Sequence, residues 1–382
     1  MAIIKNNYII SQQQTGNWIL EISGKYFTIN SETKELINIL SAAITYKEAT
    51  ETFNLIFKNE DITENEFIYL IEEIFLEIPI LRNSEKVKKS KSFIRFQKEL
   101  LTPDKAGRIA EYISFLFQKR SFWITFTCLS SLAVFLLFST SLSSIENFSS
   151  IWIFLPYGLT IFLHEIGHIS ACKRFTGKNG EIGLGIYIIF PVLYSNISAI
   201  WHSHKEERII TNLAGVYMQF WCMLFFYILY LLSQDALFLL LSYFTAFYCV
   251  LQIFPFIRSD GYWLLSDISS TSNLLEKSGI EIKSFIKKPI EWIKKQHKKK
   301  IFLLCYGLFN IIIIMLFIIT QVLFSWKQII YFPVATINII WQISTFQFTK
   351  ISIPDHSITS IIFYIILLNS ISSFIKKYLE SV

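Results

Sequence analysis

Five apolar runs, each about as long as a bilayer is thick, fill most of this chain after residue 120: 122–140, 151–171, 209–232, 237–256 and 301–324. A hydrocarbon core of about 30 Å needs about 20 apolar residues per crossing helix. Inside that core each backbone polar group must be satisfied within the segment, so such runs read as transmembrane helices. A shorter run, 361–374, closes the chain as a further span. Residues 329–341 are apolar but contain Pro333, and read as either a span or an interfacial segment. The expected fold class is mostly α, a polytopic membrane protein of about six transmembrane helices. Composition agrees: 17% of residues are charged, against about a quarter in soluble domains.

The net charge of +6 sits in clusters rather than on a general basic surface. Lys86, Lys88, Lys89, Lys91, Arg95 and Lys98 precede the first run, and Lys287, Lys288, Lys294, Lys295, Lys298, Lys299 and Lys300 precede the fifth. Beside membrane spans such clusters set topology, so no nucleic-acid partner is expected. The N-terminus then lies inside, and 141–150, which lacks Lys and Arg, lies outside. Lys173, Arg174 and Lys178 return the chain to the inside, 233–235 lies outside, and Arg258 with the Lys-rich 283–300 lies inside. Lys376 and Lys377 fall inside if 329–341 does not cross. The expected localisation is the cell membrane, multi-pass, with a cytoplasmic N-terminal domain. The first apolar stretch, Tyr8-Ile9-Ile10, is too short for a cleavable signal peptide. Cys128, Cys172, Cys222, Cys249 and Cys305 lie in apolar runs without ligand spacing and read as small buried hydrophobes.

Residues 1–82 read as a small α+β domain of winged-helix size. Trp18 to Ile22 and Lys25 to Ile29 are strand-like runs joined at Ser23-Gly24. Three helices follow: one over 32–41, one opened by Thr45-x-x-Glu48 and one by Thr63-x-x-Glu66, both with the spacing of a capping box. Residues 83–120 read as a basic cytoplasmic linker, 121–270 as the functional core, 271–300 as a basic cytoplasmic loop and 301–382 as the C-terminal transmembrane helices.

The chemistry-bearing residues lie in the second run, at His164-Glu165-Ile166-Gly167-His168. Residues four apart share a helix face, so both imidazoles can point at one ion. An ionisable residue within a span costs insertion free energy and is functional by default. Two histidines flanking a glutamate are the donor set of a zinc hydrolase: the metal acidifies water and the carboxylate moves its protons. A catalytic zinc usually has three protein ligands. Asp260 at the end of the fourth run is the third candidate. Counted from the outside at 1.5 Å per residue, His164 and His168 lie about 20–25 Å down, and Asp260 is expected at a similar depth, which places the three at a common level. His202 and His204 are rival or accessory ligands in the polar loop before the third run.

A histidine-glutamate-histidine motif in one span and an Asp-Gly motif ending a later one resemble the site-2 protease family of intramembrane zinc metalloproteases. Three stretches resemble a subgroup, the bacterial peptide zinc metalloproteases: Phe190-Pro191-Val192-Leu193-Tyr194 through Trp201, Asn212-Leu213-Ala214-Gly215, and Asp260-Gly261-Tyr262-Trp263-Leu264-Leu265-Ser266-Asp267. The resemblance implies one zinc ion on His164, His168 and Asp260, with Glu165 as the base. It implies that 181–194 is a membrane-associated β-hairpin offering extended substrate to the metal. By its own pattern that stretch shows only alternating apolar residues with Gly183 and Gly185. The family carries an Asn before the proline of the Asp motif, where this chain has Phe254. That substrate-holding role is expected to be missing or to move to Gln252 or Asn212.

Residues 15–82 resemble the PqqD-like modules known as RiPP recognition elements, through Gly24-x-Tyr26-Phe27-x-Ile29-Asn30 and three short helices. Such modules add a leader peptide as a strand to their sheet edge. Glu60, Asp61, Glu64, Glu66, Glu72, Glu73 and Glu77 would repel a nucleic-acid backbone. The function expected is an intramembrane zinc metalloendopeptidase acting near the cytoplasmic side, in maturation of a ribosomally made peptide with a leader. A membrane-protein substrate is the other partner considered. The alternative is a non-catalytic membrane adaptor that binds a precursor peptide for modification or export.

Overall fold

The computed structural model describes residues 3–368, apart from 82–93, 141–150, 346–358 and gaps of one to four residues elsewhere. Lys86 to Lys91, the loop 141–150, Ser23-Gly24, Arg258, Lys295 and the C-terminal lysines lie outside the described residues. The chain divides into two units, Met1–Ser272 and Asn273–Val382.

At the start of the first unit, strands β1 (Tyr8–Gln12), β2 (Trp18–Ile22) and β3 (Lys25–Ile29) form an antiparallel sheet in that order. Leu20 stands opposite Ile10 on one side and Phe27 on the other. The stretch too short for a signal sequence is long enough for an edge strand, so the sheet has three strands where the sequence pattern marks two. Helices α1 (Ser31–Ala42), α2 (Tyr46–Ile56) and α3 (Glu64–Ile74) follow. Their starts are set by side-chain caps: Asn30 accepts from Thr33 N at 2.7 Å, and Thr45 accepts from Glu48 N at 3.2 Å. Thr63 and Glu66 form a reciprocal capping box, which holds the Glu66 carboxyl below its usual range. Leu20, Ile22, Leu36, Ile37, Leu40, Phe67 and Ile71 close a core of its own under the sheet.

The segment expected as a linker carries strand β4 (Ile94–Leu101) and helix α4 (Pro103–Ile113). Helices α5 (Lys119–Ser139) and α6 (Ile151–Thr176) come next, then the hairpin β5 (Ile182–Tyr187) and β6 (Phe190–Ser195). A 3-10 turn over Ser198–His202 leads into α7 (Lys205–Ser233), α8 (Ala236–Ile253) and the short α9 (Asp260–Ile268). β4 joins the hairpin in a sheet of order β4-β5-β6. Gly183 and Gly185 make that sheet close: a Cβ there would strike the ring of the facing Tyr194 and the side chain of Ile94. α7 is the central helix, burying Asn212, Gly215, Tyr217, Gln219 and Phe220 among α5, α6 and α8.

The second unit holds α10 (Leu274–Lys287), α11 (Pro289–Lys294), α12 (Lys298–Phe324), α13 (Trp326–Ser344) and a helix over Thr359–Leu368. Among the described residues, four helices are long and apolar enough to cross a membrane: α5, α7, α8 and α12. α6 covers the expected second run in 26 residues and carries Lys173 and Arg174 in its last turn. Of the C-terminal run, the described residues Thr359–Leu368 are helical, and 369–374 lies outside the described residues. α13 covers 329–341 with Pro333 inside it.

Candidate metal centre

One turn of α6 separates His164 from His168, and both rings are buried, at 5% exposure each. Their Nε2 atoms lie 3.1 Å apart, with the rings nearly perpendicular at 81°. Asp260 reaches them from the first turn of α9. Its Oδ2 lies 3.2 Å from Nε2 of His164 and 3.4 Å from Nε2 of His168. Four ligands placed tetrahedrally about 2.0 Å from a zinc ion stand about 3.3 Å from one another. The three measured separations bracket that value, and these residues form the one such group among the described residues.

The outward sides of the rings fix which nitrogen faces the centre. His168 Nδ1 donates to the Thr211 carbonyl at 2.7 Å, and His164 Nδ1 donates to Gln219 Oε1 at 3.3 Å. Both acceptors are carbonyl oxygens, so the ring protons belong on Nδ1 and lone pairs remain on Nε2. Asp260 Oδ2 is buried and accepts no hydrogen bond. Three lone-pair donors therefore face one point, an arrangement that a cation relieves. The donor set of two imidazoles and a carboxylate suits zinc and leaves a fourth position open.

Two glycines make this convergence sterically possible. At Gly215 of α7 a Cβ would fall 2.5 Å from both Nδ1 and Nε2 of His164. At Gly261 it would strike the backbone of Ile253 and Phe254, so the chain can double back from α8 and present Asp260. Ser259 caps the new helix, accepting from Tyr262 N at 3.3 Å and donating to the Phe254 carbonyl at 2.7 Å.

The centre opens on a cavity of about 530 Å³. Glu165, His168 and Asp260 line it together with Leu193, Tyr194 and Ser195 of β6 and Ile94 and Gln97 of β4. Trp201, Arg208, Asn212, Trp263 and Asp267 complete the wall. Glu165 is 9% exposed at this wall, next to His164 in sequence and three residues before His168. Of the two amides considered for substrate, Asn212 lines the cavity, while Gln252 is not among the described lining residues and its Oε1 is buried without a hydrogen bond. His202 and His204 do not join the group of His164, His168 and Asp260. His202 hydrogen-bonds Ser11 Oγ through Nδ1 and Glu21 Oε2 through Nε2, and His204 N donates to Glu207 at the start of α7.

Sequence reasoning did not single out Thr211, Gln219, Arg208 or the strand β4. Gln219 had a visible signal, an amide within an apolar run. Thr211 acts through its backbone carbonyl and leaves no signature in residue type.

No protein-family model matches the chain, and no solved structure matches it significantly. The chain is 28% identical over 130 residues to a protein of Bacillus subtilis (strain 168) named "Putative peptide zinc metalloprotease protein YydH". The match takes in 32% of this chain and 51% of that protein, so the chain spans about half the length of the relative it matches.

Proposed function

We propose that this chain is an intramembrane zinc metalloendopeptidase of the site-2 protease type, hydrolysing a peptide bond near the cytoplasmic face of the membrane. The observation that carries the reading is the convergence of His164, His168 and Asp260 to 3.1–3.4 Å beside a cavity that His168, Asp260 and Glu165 line. The distant relative named as a peptide zinc metalloprotease supports the same chemistry coarsely. His164, His168 and Asp260 would hold the ion, which supplies Lewis acidity toward water and the scissile carbonyl.

The remaining work falls to the protein. Glu165 takes the proton of the attacking water and returns it to the leaving amine nitrogen. The outer edge of β6 offers backbone groups to an extended peptide, a strand-addition mode that holds the main chain without demanding a particular sequence. Asn212, whose Nδ2 donates one hydrogen to Asp267, keeps a second for a substrate carbonyl and takes the role of the family Asn replaced by Phe254. The N-terminal module would capture the leader of a ribosomally made precursor on the free edge of β3.

The test is cleavage of precursor peptides by detergent-purified, zinc-loaded protein, against Glu165→Gln. We expect wild type to cleave and Glu165→Gln to retain one zinc per chain while losing at least about a hundredfold in rate, the usual contribution of a positioned base. Zinc bound by both proteins with no cleavage by either would overturn the protease and favour the precursor-binding adaptor.

A further inference from the structure

The two imidazoles are oriented by α7, but the third donor arrives on α9, a helix of nine residues joined to α8 by a sharp reversal. A helix that short has little of its own to fix how it is rotated. Asp267 lies seven residues after Asp260, two turns along the same helix face and about 10 Å further down the axis. It is 8% exposed and its carboxylate is fully engaged by α7. Arg208 Nε donates to its Oδ1 at 2.6 Å and Asn212 Nδ2 donates to its Oδ2 at 2.7 Å. Lys205 adds a contact at the helix end, donating to the Ile268 carbonyl at 2.7 Å.

These partners share a helix with the groups that orient the histidines. Lys205, Arg208 and Asn212 grip α9, and Thr211 and Gln219 grip His168 and His164. All five lie on α7, Lys205, Arg208 and Asn212 on successive turns and Gln219 two turns beyond Asn212, so one rigid element sets the register of all three donors. We propose that Asp267 is a positioning residue of the metal centre: held by Arg208 and Asn212, it locks the rotation of α9 and so keeps Asp260 at ligand distance. The inference rests on reading His164, His168 and Asp260 as a zinc site.

The experiment measures zinc affinity of the full-length detergent-purified protein by competition with a chromophoric chelator, beside the melting temperature of the zinc-free protein. Asp267→Asn places an amide donor against the Asn212 donor and breaks the link. It should weaken zinc binding by about 10- to 100-fold, the usual effect of losing a residue behind a ligand. The swapped pair, Asp267→Asn with Asn212→Asp, restores a donor facing a carboxylate and keeps the charge beside Arg208. Zinc affinity should return in the swap even where cleavage does not, because Asn212 also serves the substrate. If the single variant does not accumulate folded, the swap decides alone. Wild-type zinc affinity in Asp267→Asn with a lowered melting temperature would make Asp267 merely structural and overturn the proposal. So would a swap that binds zinc weakly. A wild-type protein that binds no zinc would overturn the metal-centre reading beneath it, whereas zinc binding without cleavage would overturn only the protease.

Discussion

At the scale of single residues, the site depends on what is missing as much as on what is present. Gly215 faces the edge of the His164 ring, and any side chain there competes with the ring for the same space. In Gly215→Ala two effects oppose each other. Alanine favours a helix interior by about 1 kcal/mol over glycine, whereas overpacking costs about 1–3 kcal/mol. The ring can tilt away, so we expect global stability to change little. The lost tilt falls on the metal: His164 leaves both Gln219 and the common point, and zinc affinity should drop about tenfold or more. Competition with a chelator, set beside a thermal melt of the zinc-free protein, separates the two effects. The candidate ligands were legible because imidazoles and a carboxylate are rare in apolar runs, and their spacing pointed to metal chemistry. Gly215 was legible only as part of a recurring stretch. A glycine's reason for being there is the atom that stands opposite it, and that atom is 51 residues away in sequence, at His164.

At the scale of elements, α6 and α7 must approach closely for Thr211 and Gln219 to reach the two imidazoles. Lipid tails are as apolar as leucine, so helices in a bilayer associate through close packing of small residues. Gly167, between the histidines, supplies that contact: a Cβ there would fall 2.5 Å from the Ala214 carbonyl and 2.6 Å from Met218 Cγ. The first neighbour is backbone and cannot turn aside. Gly167→Leu should therefore push the helices apart and lower the melting temperature of the zinc-free protein, with a cost of about 1–3 kcal/mol or more. Gly158, on the same helix with nothing within 4 Å, is the control. Gly158→Ala should leave the melt unchanged or raise it slightly. Elements fixed by local rules, such as β2, β3 and the capped helices of the N-terminal module, could be read from sequence. β4 could not. Its run Ile-Arg-Phe-Gln-Lys-Glu-Leu-Leu alternates only over its first four residues, most of its residues are exposed, and what makes it a strand is the edge of β5, more than 80 residues on. α9 was hidden for the opposite reason, being too short to show a period.

At the scale of the whole first unit, the centre draws ligands from α6 and α9 and support from α7, while the N-terminal module has a separate core built on Leu20, Leu40 and Phe67. The described contacts between module and centre are polar and partly exposed: Glu21 meets Lys178 at 3.4 Å and His202 at 3.1 Å, and Ser11 meets His202. Ion pairs of that kind contribute about 0.2–1 kcal/mol. A ligand present at a thousand times its dissociation constant stabilises the state that binds it by about 4 kcal/mol. If the centre holds zinc as proposed, removing it withdraws far more free energy from the centre than those contacts can pass to the module. Hydrogen exchange with and without a chelator should therefore show faster exchange in α9 and in the turns of α6 and α7 around the histidines, with α1, α2 and α3 unchanged. Faster exchange across the module as well would mean that the two cores unfold as one, and that the Glu21 contacts couple them more tightly than exposed ion pairs do. Protection that stays the same everywhere would mean that the three donors hold their places without an ion. The lone-pair conflict among Nε2 of His164, Nε2 of His168 and Oδ2 of Asp260 argues against that outcome, because removing the cation leaves three buried acceptors facing one another and α9 is the element free to move.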